Sequence, residues 1–290
     1  MHTVMKSLTL RHLGFAGISI LLALALHNVF LAWLSLAYHN EQYSFLWMIP
    51  LITATLIYRA RQEIFANTET APVWIVLAGA GGMLCVVAHL PAMRLGPIDA
   101  LIVAMVGVVV LWTGLFRLCY GRHAWRAARF PLAFMLFMVP IPQSLLESVI
   151  HLLQTGSALV VESLLSLLQV IHLRSGTRFV MPGLSIDIAP ECSGFRSSMA
   201  LLILVTLIAH YALRSRWRQL LLVASVIPLV LFKNGLRIVT LSLLAINVDQ
   251  SFMTGSLHHR GGFVFFGLTL VILLTFCWLL KRSEKSVSRL

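Results

Sequence analysis

The sequence predicts an all-α fold, a polytopic transmembrane helix bundle of about eight spans. Three observations predict it. Hydrophobic residues make up 59% of the chain and charged residues only 11%, against roughly 25% charged in a soluble domain. Apolar runs recur that reach the ~18–20 residues needed to cross a bilayer core about 30 Å thick. The basic residues behind the net charge of +12 are gathered in short clusters between those runs. Such clustering marks cytoplasmic loops rather than a nucleic-acid surface, so no nucleic-acid partner is expected and the surrounding partner is membrane lipid.

The spans follow in order. The first covers Leu13–Tyr38, the second Phe45–Tyr58, the third Val73–Leu90 and the fourth Ala100–Leu118. A short fifth runs from Pro131 to Pro140. The last three cover Met199–Leu213, Leu220–Ala245 and Phe263–Leu280. The first run is long, begins after Arg11 and is followed by no clear small-residue cleavage site, so it reads as a span rather than a signal peptide.

Between the fifth and sixth spans lies Ser144–Val170, apolar but carrying Glu147, His151, Gln154, Glu162 and Gln169. It reads as a re-entrant hairpin or an amphipathic helix on the outer face. The alternative is two crossings with a break near Thr155–Ala158. Without a net crossing there, the clusters at Lys6/Arg11, Arg59/Arg61, Arg117–Arg129, Arg214–Arg218 and Lys281–Arg289 share one side. Both termini are then expected in the cytoplasm. The stretch Thr177–Ile188 alternates around a Pro-Gly pair and predicts a small extracytoplasmic β-hairpin. The division expected is an N-terminal set of transmembrane helices over 1–142 and a catalytic membrane region over 143–290.

Four cysteines are present, Cys85, Cys119, Cys192 and Cys277. They form neither a disulfide framework nor a metal-binding pair, and neither a metal nor an organic cofactor is expected. Only Cys192 sits in polar sequence, within "APECSGFRSSM" at the mouth of the sixth span. That position is expected to place the thiol at a helix N-terminus, which favours thiolate. Arg196, four residues on, shares its face if the helix has already begun. Glu191 is expected to point away or to bind substrate.

Topology brings two further residues to the same depth. Following the chain inward along one span and outward along the next returns it to the outer face near Arg237, about 20 residues and ~30 Å later. The loop that follows carries His258 and His259 before the last span dives inward. Cys192, Arg237 and His258 therefore converge from three successive crossings. A thiolate, a histidine that takes and returns a proton, and an arginine facing a developing oxyanion are the parts of an acyl-transfer site. Asn234, one turn before Arg237, is placed to hold substrate or orient the guanidinium. The plain alternatives are a small buried hydrophobe at Cys192, a snorkelling Arg237 and a solvated histidine.

These residues resemble the signature segments of the exosortase/archaeosortase family. "APECSGFRSS", "KNGLRIVTLSLLA" and "HHRGGFVFF" match its C-S-G, its N-x-x-R and its histidine with glycine four residues later. Cys192–Gly194, Asn234 with Arg237, and His258 with Gly262 carry the match. His259 and Phe263 stand where members often have an acidic residue and Trp. The resemblance implies a cysteine transpeptidase of the bacterial inner membrane. Its substrates would be proteins ending in a Pro-Glu-Pro-type motif, a transmembrane helix and a basic tail, passed to a cell-surface acceptor, often alongside exopolysaccharide production. Two other classes remain open on residues alone, a non-enzymatic transporter binding an anion at Arg237 and a structural subunit of a polysaccharide export complex.

Overall fold

A computed structural model of the chain describes residues 2–90, 93–253 and 262–287. They form helices almost throughout, with one small sheet, in two compact units, Met1–Leu145 and Leu146–Leu290. Among the described residues, six helices are long and apolar enough to cross a membrane. The chain is an all-α, multi-pass membrane protein.

Unit 1 holds α1 (His2–Ala25), α2 (His27–His39), α3 (Met48–Arg59), α4 (Arg61–Ile64), α5 (Ile75–Val87), α6 (Pro97–Ala127) and α7 (Arg129–Phe134). Several expected spans are shorter or broken here. The first divides at Leu26, whose backbone leaves helical geometry. The second is α3, with 12 residues, about 18 Å of rise against a core of about 30 Å. The third and fifth are short apolar helices, Pro72–Val87 and Arg129–Met138. The count of about eight spans thus resolves into six long helices and these shorter ones.

Small residues set how closely unit 1 packs. A Cβ on Gly81 would fall 2.3 Å from the backbone nitrogen of Leu111, and one on Gly114 would fall 2.6 Å from that of Ala78. The backbones of α5 and α6 touch, as small-residue interfaces in membranes allow. At the basic end of α6, Arg117 stacks on Trp74 at 3.4 Å and faces Trp125 at 4.4 Å. Two side-chain hydrogen bonds tie the chain after α7 to the front of the unit. Trp33 Nε1 donates to the Met138 carbonyl at 2.8 Å and the Tyr43 hydroxyl to that of Ile141 at 2.8 Å.

Unit 2 is built on α8 (Gln143–Leu167), which begins just before the unit boundary. It is one unbroken helix of 25 residues, and it is among the six long enough to cross. The re-entrant hairpin and the break at Thr155–Ala158 are therefore both corrected. Buried Leu146, Ile150, Leu153, Ser157, Val161 and Leu165 recur at helical spacing, so one face is continuous. Gly156 marks a contact rather than a turn, since a Cβ there would meet Leu231 at 2.8 Å.

The sheet carries one strand more than the expected hairpin. Strands β1 (Leu173–Ser175), β2 (Arg178–Met181) and β3 (Leu184–Asp187) pair antiparallel in sequence order. Pro182–Gly183 joins the last two, and Gly183 takes the positive φ, +78°, that a Pro-Gly turn requires. Phe179, Met181 and Ile186 face Ala158, Val161 and Leu165 of α8 in one buried cluster with Ile188 and Val239. Arg174 pairs with Glu162, and Gln154 Nε2 donates to the Ile188 carbonyl at 2.6 Å. The sheet is thereby fixed on α8 and delivers the chain to Pro190.

Helices α9 (Phe195–Ala212), α10 (Arg216–Ala224), α11 (Val226–Asn247) and α12 (Gly262–Val287) complete the unit. Glu284, near the end of α12, accepts from the backbone N–H groups of Arg214 at 3.1 Å and Ser215 at 2.8 Å. This clamp sits at the end of α9 opposite Cys192. The 23 residues from Gly262 to Glu284 rise about 33 Å, so α12 begins at the Cys192 end.

Candidate active site

Cys192 lies in a single 3-10 turn, Pro190–Ser193, held by its own N–H donating to the Ala189 carbonyl at 2.9 Å. Pro190 stands at the first position of the turn, where its missing N–H costs nothing. Gly194 closes it with a left-handed φ of +79°, and α9 starts one residue later. The thiol stands at the mouth of the long helix, just before its first turn. The condition under which Arg196 would share its face is not met. Arg196, exposed in the first turn of α9, has no i,i+4 relation to Cys192, because left-handed Gly194 separates them. Glu191 belongs to the same 3-10 turn.

Cys192 and Arg237 line one narrow cleft of about 40 Å³, with Asp187 and Ile188 from the sheet side and Ile238 and Leu241 from α11. Both residues are half-buried. Thr177 Oγ1 donates to Asp187 at 2.8 Å, which fixes that carboxylate at the cleft's edge. A thiol, a guanidinium and a carboxylate thus share one opening beside the sheet.

Asn234 lies directly beneath the cysteine turn. It is 1% exposed, and its Nδ2 donates to the Cys192 carbonyl at 2.9 Å and to Ser157 Oγ at 3.0 Å. One amide therefore links α11, α8 and the cysteine turn. Gly235 beside it admits α8 closely, since a Cβ there would meet Val160 at 2.5 Å.

Lys233, adjacent in the chain, is 6% exposed and donates to Ser197 Oγ. Ser197 in turn donates to the Gly194 carbonyl at 2.9 Å. Lysine, serine and glycine form a second brace on the turn. Sequence reading passed over Lys233, Ser197, Ser157 and Asp187. A lysine inside an apolar helix was the available signal.

His258 and His259 lie outside the described residues. The chain approaches them beside the sheet, where Gln250 Nε2 reaches the Gly183 carbonyl at 3.4 Å. Asp249 opens that stretch. Its carboxylate accepts the Ser251 N–H at 2.7 Å, which holds it below the usual carboxylate range.

Comparison with protein families decides the membership. A family model described as transmembrane exosortase matches residues 33–275. The chain belongs to the exosortase family. The match takes in most of unit 1 and unit 2 as far as the first half of α12, so membership rests on most of the helices as well as on the cysteine turn. No curated protein and no solved structure matches the chain. Exosortases are cysteine transpeptidases that act on C-terminal sorting signals in a membrane setting, and that general role comes with the family.

Proposed function

We propose that this exosortase uses Cys192 as nucleophile, Arg237 as oxyanion donor and His258 as acid and base. It would cleave a Pro-Glu-Pro-type C-terminal signal and pass the protein to an acceptor at the cell surface. The observation that carries this reading is the shared cleft of Cys192 and Arg237.

The steps balance. The thiol proton moves to the histidine, and the thiolate attacks the scissile carbonyl carbon. Charge develops on the carbonyl oxygen, which the guanidinium stabilises by donated hydrogen bonds. The histidinium returns its proton to the leaving amine as the peptide bond breaks, leaving a thioester on Cys192. An acceptor amine, or water, then resolves the thioester and restores the thiol.

The orientation fits this use. The basic clusters Arg214–Arg218 and Lys281–Arg282 sit at the end of unit 2 away from Cys192, where Glu284 meets Arg214 and Ser215. By the positive-inside rule that end is cytoplasmic, so the cleft would face the extracytoplasmic side of the inner membrane. A substrate's basic tail would stay in the cytoplasm while its motif reached the thiol.

The test is co-expression with a tagged protein that ends in the motif, a transmembrane helix and a basic tail. Wild type should yield a shortened product, and Cys192→Ala should yield none. A shortened product that persists with Cys192→Ala overturns the assignment.

A further inference from the structure

Unit 1 encloses an apolar cavity of about 400 Å³ that the proposed chemistry does not use. One wall is a face of α3, where Pro50, Thr53, Ala54, Ile57 and Tyr58 recur at helical spacing and Arg61 follows just past its end. Trp112, Phe116 and Tyr120 of α6 form another. The size falls within the ~300–1,000 Å³ of small-molecule pockets.

Two polar features interrupt the carbon lining. Thr53 is 4% exposed, and its hydroxyl has no hydrogen-bond partner among the described residues. Thr55, Thr206, Thr240, Thr269 and Thr275 all donate instead to the carbonyl four residues back. A buried hydroxyl without a partner is costly, so a native structure that keeps one calls for a guest that accepts from it. The second feature is Arg61. Its guanidinium folds back to donate to the Tyr58 carbonyl at 2.9 Å and lies 4.0 Å over the Tyr58 ring. Tyr58 and Arg61 are both exposed, so the charged end of the cavity opens to the surface.

The spacing defines the guest. Tyr58 lies five residues beyond Thr53 on one helix, about 7–8 Å along the axis. A guest must therefore present an anion, then a hydrogen-bond acceptor several ångströms deeper, then an apolar tail. A glycerophospholipid carries phosphate, ester carbonyl and acyl chain in that order. A transmembrane helix does not fit, because each turn displaces about 400–600 Å³ at its ~10–12 Å diameter and ~5.4 Å pitch.

We propose that this cavity binds one anionic glycerophospholipid, with its phosphate at Arg61, an ester carbonyl accepting from the Thr53 hydroxyl and an acyl chain along Trp112 and Phe116. Arg61 keeps N–H donors beyond the one given to Tyr58. Its charge favours a headgroup with net negative charge over a zwitterionic one.

The full chain, purified in detergent, is titrated with phosphatidylglycerol and with phosphatidylcholine of identical chains, and bound lipid is counted by native mass spectrometry. Wild type should hold one phosphatidylglycerol in preference to phosphatidylcholine. Thr53→Val, which keeps the shape, should weaken phosphatidylglycerol about three- to tenfold, the worth of one hydrogen bond. Arg61→Gln should abolish the headgroup preference, and Arg59→Gln should change neither. Equal binding of the two lipids by wild type overturns the proposal. So does unchanged binding by Thr53→Val and Arg61→Gln, or an equal loss in Arg59→Gln, which would mark a shell of surface lipid.

Discussion

The side-chain amide of Asn234 donates to the backbone carbonyl of Cys192 across 2.9 Å, so a residue of α11 holds the turn that presents the thiol. The same amide reaches Ser157 of α8 at 3.0 Å. Asn234→Leu would leave both acceptors without this donor. Stability should fall by about 1–3 kcal/mol, read as a lower Tm in detergent. The rate of Cys192 alkylation by a small maleimide should change as well, because the turn loses its anchor. An alkylation rate equal to wild type would reduce Asn234 to a packing role.

Gly194 makes that anchor possible. It holds φ at +79°, and a Cβ there would sit 3.3 Å from Asn234 Oδ1. Gly194→Ala should cost about 1–2 kcal/mol in backbone strain alone. Formation of the shortened product should fall further than stability does, because the displaced turn carries the nucleophile. Activity and Tm measured on the same preparation test the difference.

The Lys233–Ser197 brace predicts an asymmetry. Lys233→Met removes a buried charge and fills its space, while Ser197 keeps its bond to the Gly194 carbonyl. That change should be near neutral, since replacing a buried ion with an apolar group often is. Ser197→Ala instead takes an acceptor from a buried ammonium and should cost about 1.5–3 kcal/mol. Thermal unfolding of the two variants checks the order.

Arg237→Ala should lower the rate of product formation by about 100- to 1,000-fold if the guanidinium meets the oxyanion. Arg237→Lys should recover only part of this, because one ammonium cannot reproduce the planar fork. Both should leave Cys192 open to alkylation. Full activity in Arg237→Ala would remove the arginine from the chemistry.

In unit 1, Gly81→Val should destabilise by about 1–3 kcal/mol or more, because even a Cβ would stand 2.3 Å from the backbone of Leu111. Val76→Ala, at an exposed position on α5, should be near neutral by the same Tm assay.

The parts legible in sequence were those in which one residue type carries a strong physical signal. Arg237 in an apolar helix and Cys192 in a polar turn both stood out, and both line the cleft. Lys233 gave the same signal and was overlooked. Strand β1 was illegible because Leu173–Ser175 is too short to show alternation. The break at Leu26 has neither glycine nor proline to announce it. Gly156 suggested a turn, yet its smallness serves a helix contact with Leu231, a distinction that only tertiary packing makes. The apolar run put the start of α9 at Met199, four residues late, because Arg196, Ser197 and Ser198 hide the polar first turn of the helix.

The most direct measurement is the intact mass of the enzyme after brief exposure to a sorting-signal substrate, followed by peptide mapping. An acyl adduct is expected on Cys192, released by hydroxylamine and missing from Cys192→Ala. A shortened product formed at the wild-type rate by Cys192→Ala would contradict it.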